Sequence, residues 1–588
     1  MTRNNLLIKL ICIVIAITLC LALFGGCSKK DVAETSSNQS EQTTSDDNTE
    51  STEPNDEPTE EIEDGETEDF GDEDFGDFDD EESLEEPEIY ELEVYNGQAP
   101  VQTHYRGVSS TVYHAFGYMK DDKSGRVYTD DMLSLELDRL QDTGIHFCRT
   151  RFDTKWIWSA TKGNWDFNTD RANYFYTYCK ALQDRGMEIA LQVGWHFSGL
   201  LANANTSISE AEYLLGNGEH INGEEAFYDA SKVKEENLRF VKAGVRYGDT
   251  YAKLLKELKS RGINNVSHLF YFTESCSYWD STPTEVREEH YGKYLVTSQA
   301  IKNTLKKHGV ADWAKHTGPL QASAYPYMLR YILERDTELF DVLGTHSYPT
   351  GKSIIDNTYY DIYAPIFEGY VQPLKEKNLY GKTEFWMDEF QTRDSGVLTA
   401  DGQGSAWHGV QGIVAAIAAA QYGVSNISTW QSFDQLWTDQ TNTGSEFYKG
   451  IHMCGHAPSL FMSTIPRPSY YMYGLYGKYN GYKDGTVYKT NLEDEYWLSG
   501  LYINAVKLKD GNWTITVVNA DIEEKTFTVD FEKALGKTLY RHAESSNDLV
   551  PDAYAELATV DKVYVDVQDR FTDTLPSGTV AVYTTIKG

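Results

Sequence analysis

The chain has 588 residues, 40% hydrophobic and 13% aromatic, and a formal net charge of −39. That length exceeds one ordinary domain and suits a barrel plus something smaller. Between Asp31 and Tyr90 there are 27 Asp or Glu and no Lys or Arg; setting these and four leading basic residues aside leaves −16 on the remainder. An acidic surface without a basic stripe excludes nucleic acid as a partner and leaves neutral polysaccharide open.

The first segment reads as an export signal. Arg3 and Lys9 precede an apolar run from Leu10 to Phe24, closed by Gly25-Gly26-Cys27. The small residues ahead of Cys27 resemble a bacterial lipobox, although Phe24 stands where that motif has a smaller aliphatic residue. The resemblance implies a lipid anchor on Cys27 and contact with the membrane through that lipid alone. A plain signal peptide and an uncleaved anchor are the alternatives, and all three put the rest of the chain outside the cytoplasm. Residues 28–90 are expected to be a disordered acidic tether, because they bury too little apolar surface to offset chain entropy and their charges repel.

From about residue 108 short β-branched and aromatic runs alternate with longer amphipathic ones. Candidate strands are 111–118, 145–152, 187–197, 266–274, 318–324, 340–348, 382–390 and 425–433. Candidate helices are 130–143, 168–185, 248–261, 284–308, 326–337, 357–378, 406–422 and 469–479. Gly144, Gly186, Gly262 and Gly309 each follow a candidate helix, where a left-handed cap belongs. Eight strand–helix units predict an α/β fold, a (β/α)8 TIM barrel over 91–482. After Gly481 the runs Trp513–Asn519, Val563–Gln568 and Gly578–Thr585 alternate between turns, which predicts a C-terminal antiparallel β-sandwich over 483–588, with Ile89–Val101 as a further strand. A monomer is expected. Cys148, Cys179, Cys276 and Cys454 are scattered, without metal-ligand spacing and too few for a disulfide framework.

A barrel directs attention to the C-terminal ends of its strands. The fourth candidate strand ends Phe272-Thr273-Glu274, and the seventh ends Asp388-Glu389. Neighbours on a strand face opposite ways, so only one of Asp388 and Glu389 is expected to face the mouth. Glu389 is chosen, with Asp388 bonded to backbone or a basic group outside the barrel. Two carboxyl groups across a barrel mouth suit glycoside hydrolysis, one protonated to donate to the leaving oxygen and one ionised.

This arrangement resembles clan A of the glycoside hydrolases, closest in layout to families 5, 30 and 39. The resemblance covers roughly residues 105–588. It implies a retaining mechanism with Glu274 as acid/base and Glu389 as nucleophile, acting on a poly- or oligosaccharide with no cofactor and no metal. Gly344-Thr-His346-Ser-Tyr348 resembles the clan's His-x-Tyr element, which holds the nucleophile or the sugar. Arg149 resembles the arginine that keeps the nucleophile ionised, and Arg151, of the same parity, can take that role instead. Trp195 and His196 end the third strand, and Trp430 ends the eighth, where an aromatic plane stacks on the sugar. His196 equally suits packing under the long loop that follows. Trp156, Trp158, Trp279 and Trp437 lie in βα loops and either line outer subsites or pack. Thr273 departs from the clan, which has Asn there for the sugar 2-hydroxyl; this puts substrate class in doubt. The competing reading is a surface lipoprotein that binds glycans without cleaving them.

Overall fold

The computed structural model describes residues 88–111, 129–159, 164–193, 227–273, 275, 283–322, 325–347, 359–390, 406–430, 435–436, 451–453, 466–480, 484–491, 499–546 and 557–587. The chain divides into residues 1–83 and 84–588, and every described residue lies in the second unit. The expected signal, Cys27 and nearly all of the tether fall outside the described residues.

Two strands come first, β1 (Ile89–Val94) and β2 (Gln102–Tyr105). The barrel follows as β3 (Val108–Thr111), α1 (Asp130–Asp142), β4 (Phe147–Phe152), a small hairpin of β5 (Trp158–Ser159) and β6 (Asn164–Trp165), and α2 (Asp170–Asp184). It continues with β7 (Glu188–Val193), α3 (Leu238–Ser260), β8 (Val266–Phe270), α4 (Thr284–Lys307), β9 (Lys315–Ala322) and α5 (Tyr327–Arg335). Next are β10 (Val342–Ser347), α6 (Tyr359–Glu376), β11 (Glu384–Phe390), α7 (Ala406–Gln421) and β12 (Asn426–Thr429). A second small hairpin, β13 (Gln435–Leu436) and β14 (Ile451–Met453), precedes the last barrel helix, α8 (Pro468–Tyr479). Strands β3, β4, β7, β8, β9, β10, β11 and β12 close into a parallel barrel in that order.

The first barrel strand starts three residues before the expected 111–118. The third helix starts ten residues before the expected 248, because Phe240, Val241 and Val245 are also buried and extend its apolar face. Local chemistry sets the other ends. The side chains of Thr129 and Thr169 cap α1 and α2 by accepting from the amides of Met132 and Ala172. Gly144 ends the first of these helices at φ +69°, and a Cβ there would stand 2.4 Å from Lys478 Cα. The site is closed to any side chain by backbone conformation and by the approach of α8.

Beyond the barrel lie β15 (Gly485–Tyr488), β16 (Leu501–Leu508), β17 (Trp513–Asn519), β18 (Lys525–Phe531), β19 (Lys537–Ser545), β20 (Lys562–Val567), β21 (Arg570–Leu575) and β22 (Thr579–Thr584). Seven strands, in the order β2-β15-β16-β17-β22-β19-β20, form an antiparallel sheet, faced by a three-stranded sheet of β1, β18 and β21. Alternate residues meet in a shared core of Leu92, Ile503, Ile515, Phe527, Val529 and Tyr583. Strand β1 runs parallel to β18, an exception to the antiparallel pattern. The sandwich therefore takes strands from both flanks of the barrel. A polar seam ties the two: Asn504 Nδ2 donates to Tyr476 Oη on α8, and Thr514 Oγ1 donates to the Tyr479 carbonyl.

Inside the barrel, Phe147, Ala190, Phe270, Leu320, Val342 and Trp386 fill one apolar layer. Below it Glu384 lies among His268, Arg106 and Lys315. Burial alone would raise the Glu384 carboxyl, but the hydrogen bond from His268 and the charges of Arg106 and Lys315 hold it well below the ordinary range. The apolar layer makes a dry floor for the groups above it, at the C-terminal mouth.

Candidate active site

The mouth is organised around Arg149, from the second barrel strand. It is almost fully buried and donates to four residues. Nε and Nη2 both reach Gln192 Oε1 on the third strand, at 3.2 and 2.7 Å. Nη2 also reaches Thr273 Oγ1 at 2.7 Å, beyond the fourth strand. Nη1 reaches Glu389 Oε1 at 2.5 Å and Asp388 Oδ2 at 3.3 Å on the seventh. Phe270 and Trp430 flank the guanidinium at 5.1 and 5.9 Å. A planar, permanently charged fork suits this many partners, as a lysine would not.

Both Asp388 and Glu389 face this cage, contrary to the expectation that Asp388 lies outside the barrel. Trp386 is an interior residue, so simple alternation puts Asp388 inward and Glu389 outward. A β-bulge changes that. Against β10 the register passes from Thr345↔Met387 to His346↔Glu389, leaving Asp388 as the extra residue. Against β12 the same excess falls between Met387 and Phe390. The bulge turns Glu389 inward beside Asp388 and returns Phe390 to the outer core. Gly344 makes room: a Cβ there would lie 3.4 Å from Asp388 Oδ1 and 2.7 Å from Leu320 Cδ2. Burial raises the Asp388 carboxyl above its ordinary range, and the nearby Glu389 adds to this while His346 and Arg149 oppose it.

The fourth strand breaks alternation in a second way. Phe270 points inward, yet Phe272 turns out to pack edge-on against Tyr247, 5.0 Å between centroids. Phe272 has φ +61°, a left-handed conformation that costs a bulky residue energy and is held here by packing. It brings Thr273 inward, where its hydroxyl accepts from Arg149 and donates to Glu389 Oε1 at 3.1 Å. The Thr273 hydroxyl is thus part of the cage around Glu389.

His346 lies with Nδ1 3.5 Å from Asp388 Oδ2 and Nε2 4.0 Å from Glu389 Oε2. His346, Asp388 and Glu389 each offer one atom at a spacing that a metal ion can bridge. The carboxylates already face the Arg149 cation, however, and a dication beside it would meet direct repulsion. Arg149 is the cation of this cluster. Arg151 does not replace it; its Nη2 lies 3.7 Å from Asp153 Oδ2. Trp430 is buried at the cage, its amide bonded to the Phe390 carbonyl at 2.8 Å. Trp156 is core, packed edge-on against Phe152. Glu274, Trp195, His196, Tyr348, Trp279 and Trp437 lie outside the described residues. Gln192 was missed from sequence; a lone amide in the buried run Ile189-Ala-Leu-Gln-Val193 was the available signal. A cavity of about 1350 Å³ opens at the other end of the barrel, lined by Ser267, Lys315 and Asp341, away from this mouth.

A closed parallel barrel of eight strands, flanked by a sandwich and carrying carboxylates at its C-terminal mouth, has the fold of clan A of the glycoside hydrolases. Solved structures of that fold match across most of the chain. A GH30 endoxylanase from Clostridium papyrosolvens C71 has 14% identity and a TM-score of 0.52, covering 84% of this chain and 99% of that one. A GH39 β-xylosidase from Caulobacter crescentus has 12% identity and a TM-score of 0.51, covering 85% and 99%. A GH51 arabinofuranosidase from Xanthomonas axonopodis pv. citri has 11% identity and a TM-score of 0.50, covering 85% and 100%. No family model matches the sequence, and no curated relative does.

Proposed function

We propose that this protein is a retaining glycoside hydrolase that cleaves β-glycosidic bonds of a poly- or oligosaccharide by double displacement, at the cell surface. The observation that carries the proposal is Glu389, aimed into the mouth by a β-bulge and held by Arg149 and Thr273. Contact with a buried guanidinium favours the ionised carboxylate, the form that attacks an anomeric carbon. Glu274, next to Thr273 in the chain, is the acid/base: it protonates the leaving oxygen, then takes a proton from the water that releases the glycosyl-enzyme. The separation of 115 positions between the two glutamates suits the three βα units that separate a fourth from a seventh barrel strand. The Thr273 hydroxyl is engaged by Arg149 and Glu389, so recognition of the sugar 2-hydroxyl falls to another group. Xylan is the first substrate to try, because an endoxylanase and a β-xylosidase share this fold.

The test is hydrolysis of purified polysaccharides and nitrophenyl glycosides by the protein and by its Glu389→Gln and Glu274→Gln variants. Removal of a covalent nucleophile is expected to cost at least about 10⁴ in kcat. For Glu274→Gln the loss should be largest on substrates with poor leaving groups, since activated phenols need little protonation. Full turnover in both variants would falsify the assignment. Binding without cleavage across the panel would establish the glycan-binding lipoprotein instead.

A further inference from the structure

We propose that Tyr325 and Tyr327 form a glycan-stacking platform at the barrel rim, holding the part of the saccharide on the leaving-group side of the scissile bond; its direction rests on the catalytic reading of Glu274 and Glu389 above. Both tyrosines follow the fifth barrel strand, β9, at the point where the chain enters α5. That connection lies at the C-terminal end of the strands, the same end as the Arg149 cage. The two rings stack at 20° with centroids 5.4 Å apart. They remain open to solvent, Tyr325 at 58% and Tyr327 at 40%. Large aromatic rings kept in water at the same end of the barrel as the carboxylates have lost the hydrophobic contribution that burial would give them. A pyranose, with an apolar face and a polar rim, restores it.

The platform is built rather than incidental. The fully buried Gln321 side chain donates to the Tyr325 carbonyl and to Tyr370 Oη, and it accepts from the Leu329 amide. Pro326 stiffens the link between the two rings. Arg287, in the first turn of α4, sets its guanidinium 4.0 Å from the Tyr327 centroid. Tyr327 is therefore backed by Arg287, and Tyr325 is the more exposed of the two rings. Helix α4 follows the fourth strand, and in sequence Glu274 lies between the two. A general acid protonates the leaving oxygen, so the leaving saccharide lies on its side of the mouth. Arg287, at the head of the helix after the fourth strand, and the two tyrosines, at the head of the helix after the fifth, thus stand together at this rim.

The test is affinity electrophoresis of the whole protein in native gels containing xylan, barley β-glucan or mannan, with nitrophenyl glycoside turnover measured in parallel. At least one polysaccharide should retard the wild type. Tyr325→Ala should weaken that retardation about two- to tenfold in dissociation constant, the range of one aromatic stacking contact. Tyr325→Trp should restore it, which a loss of folding would not allow. In Tyr325→Ala, KM for the polymer should rise by more than KM for nitrophenyl glycosides, whose leaving group offers a stacking ring less to cover than a saccharide chain does. Equal migration of wild type and Tyr325→Ala, or no retardation by any of the three, overturns the platform. Failure of the catalytic reading registers separately, as absent nitrophenyl turnover or as full turnover in Glu389→Gln.

Discussion

Replacing Arg149 by Met tests whether one guanidinium holds the acid site together. In the native cage it lies 2.5 Å from Glu389 and 3.3 Å from Asp388, with almost no solvent contact. Two unit charges about 4 Å apart at an effective dielectric of ~20 attract by about 4 kcal/mol. That is about 3 pKa units at 1.36 kcal/mol each, and relaxation with water entry reduces it to the 1–3 units found for carboxylates beside arginine. The acid limb of the pH–rate profile of Arg149→Met should therefore move up by about 1–3 pH units. Unpairing buried carboxylates should also cost about 3–5 kcal/mol of stability near neutral pH, visible as a lowered Tm. Arg149→Lys keeps the charge and loses the fork to Gln192 and Thr273. Its acid limb should stay near wild type while kcat falls, and this separates charge from geometry if the Met variant folds poorly. An acid limb unmoved in Arg149→Met, with unchanged melting, would refute the view that Arg149 is the cation of the cage.

At the other end of the barrel, Glu384 has a carboxyl held below its unfolded value, so its contribution is present above pH ~4.3 and fades as pH falls through the folded value. Glu384→Gln should cost about 2–3 kcal/mol at pH 7, allowing for the partial exposure of Lys315, and the Tm gap to wild type should narrow progressively as pH falls below about 4; a gap independent of pH would count against it. Gly144→Ala should lower stability by about 2 kcal/mol or more, because φ +69° and the approach of Lys478 Cα both exclude a Cβ; thermal melting checks this. Cys27→Ser should release the protein from the membrane fraction and abolish fatty-acid labelling, whereas unchanged labelling would rule out Cys27 as the anchor.

Much of the architecture was legible in the residues. Alternating apolar runs and amphipathic stretches located seven of the eight barrel strands and the helices, and met the first strand only at Thr111, because burial on a barrel strand and on a helix face leaves distinct periodicities. Gly144, Gly186, Gly262 and Gly309 marked helix ends correctly, each with positive φ, since the left-handed cap is a local demand that few other residues meet. Arg149, His346, Thr273 and Glu389, singled out at strand ends with the help of the resemblance to clan A, lie together in the structure, because a barrel gathers strand ends at one mouth whatever their separation in sequence.

What the tertiary structure decided is the aim of the side chains. Parity along a strand holds only while its register with both neighbours is regular. The bulge at Asp388–Glu389 and the left-handed Phe272 are responses to contacts with β10, β12, Tyr247 and Tyr294, residues far off in the chain. They place both carboxylates and the threonine on Arg149. Sequence determined which groups reach the mouth; packing between non-local strands and helices determined which way each one points, because the cost of an irregular backbone is met only by contacts that form when the barrel closes.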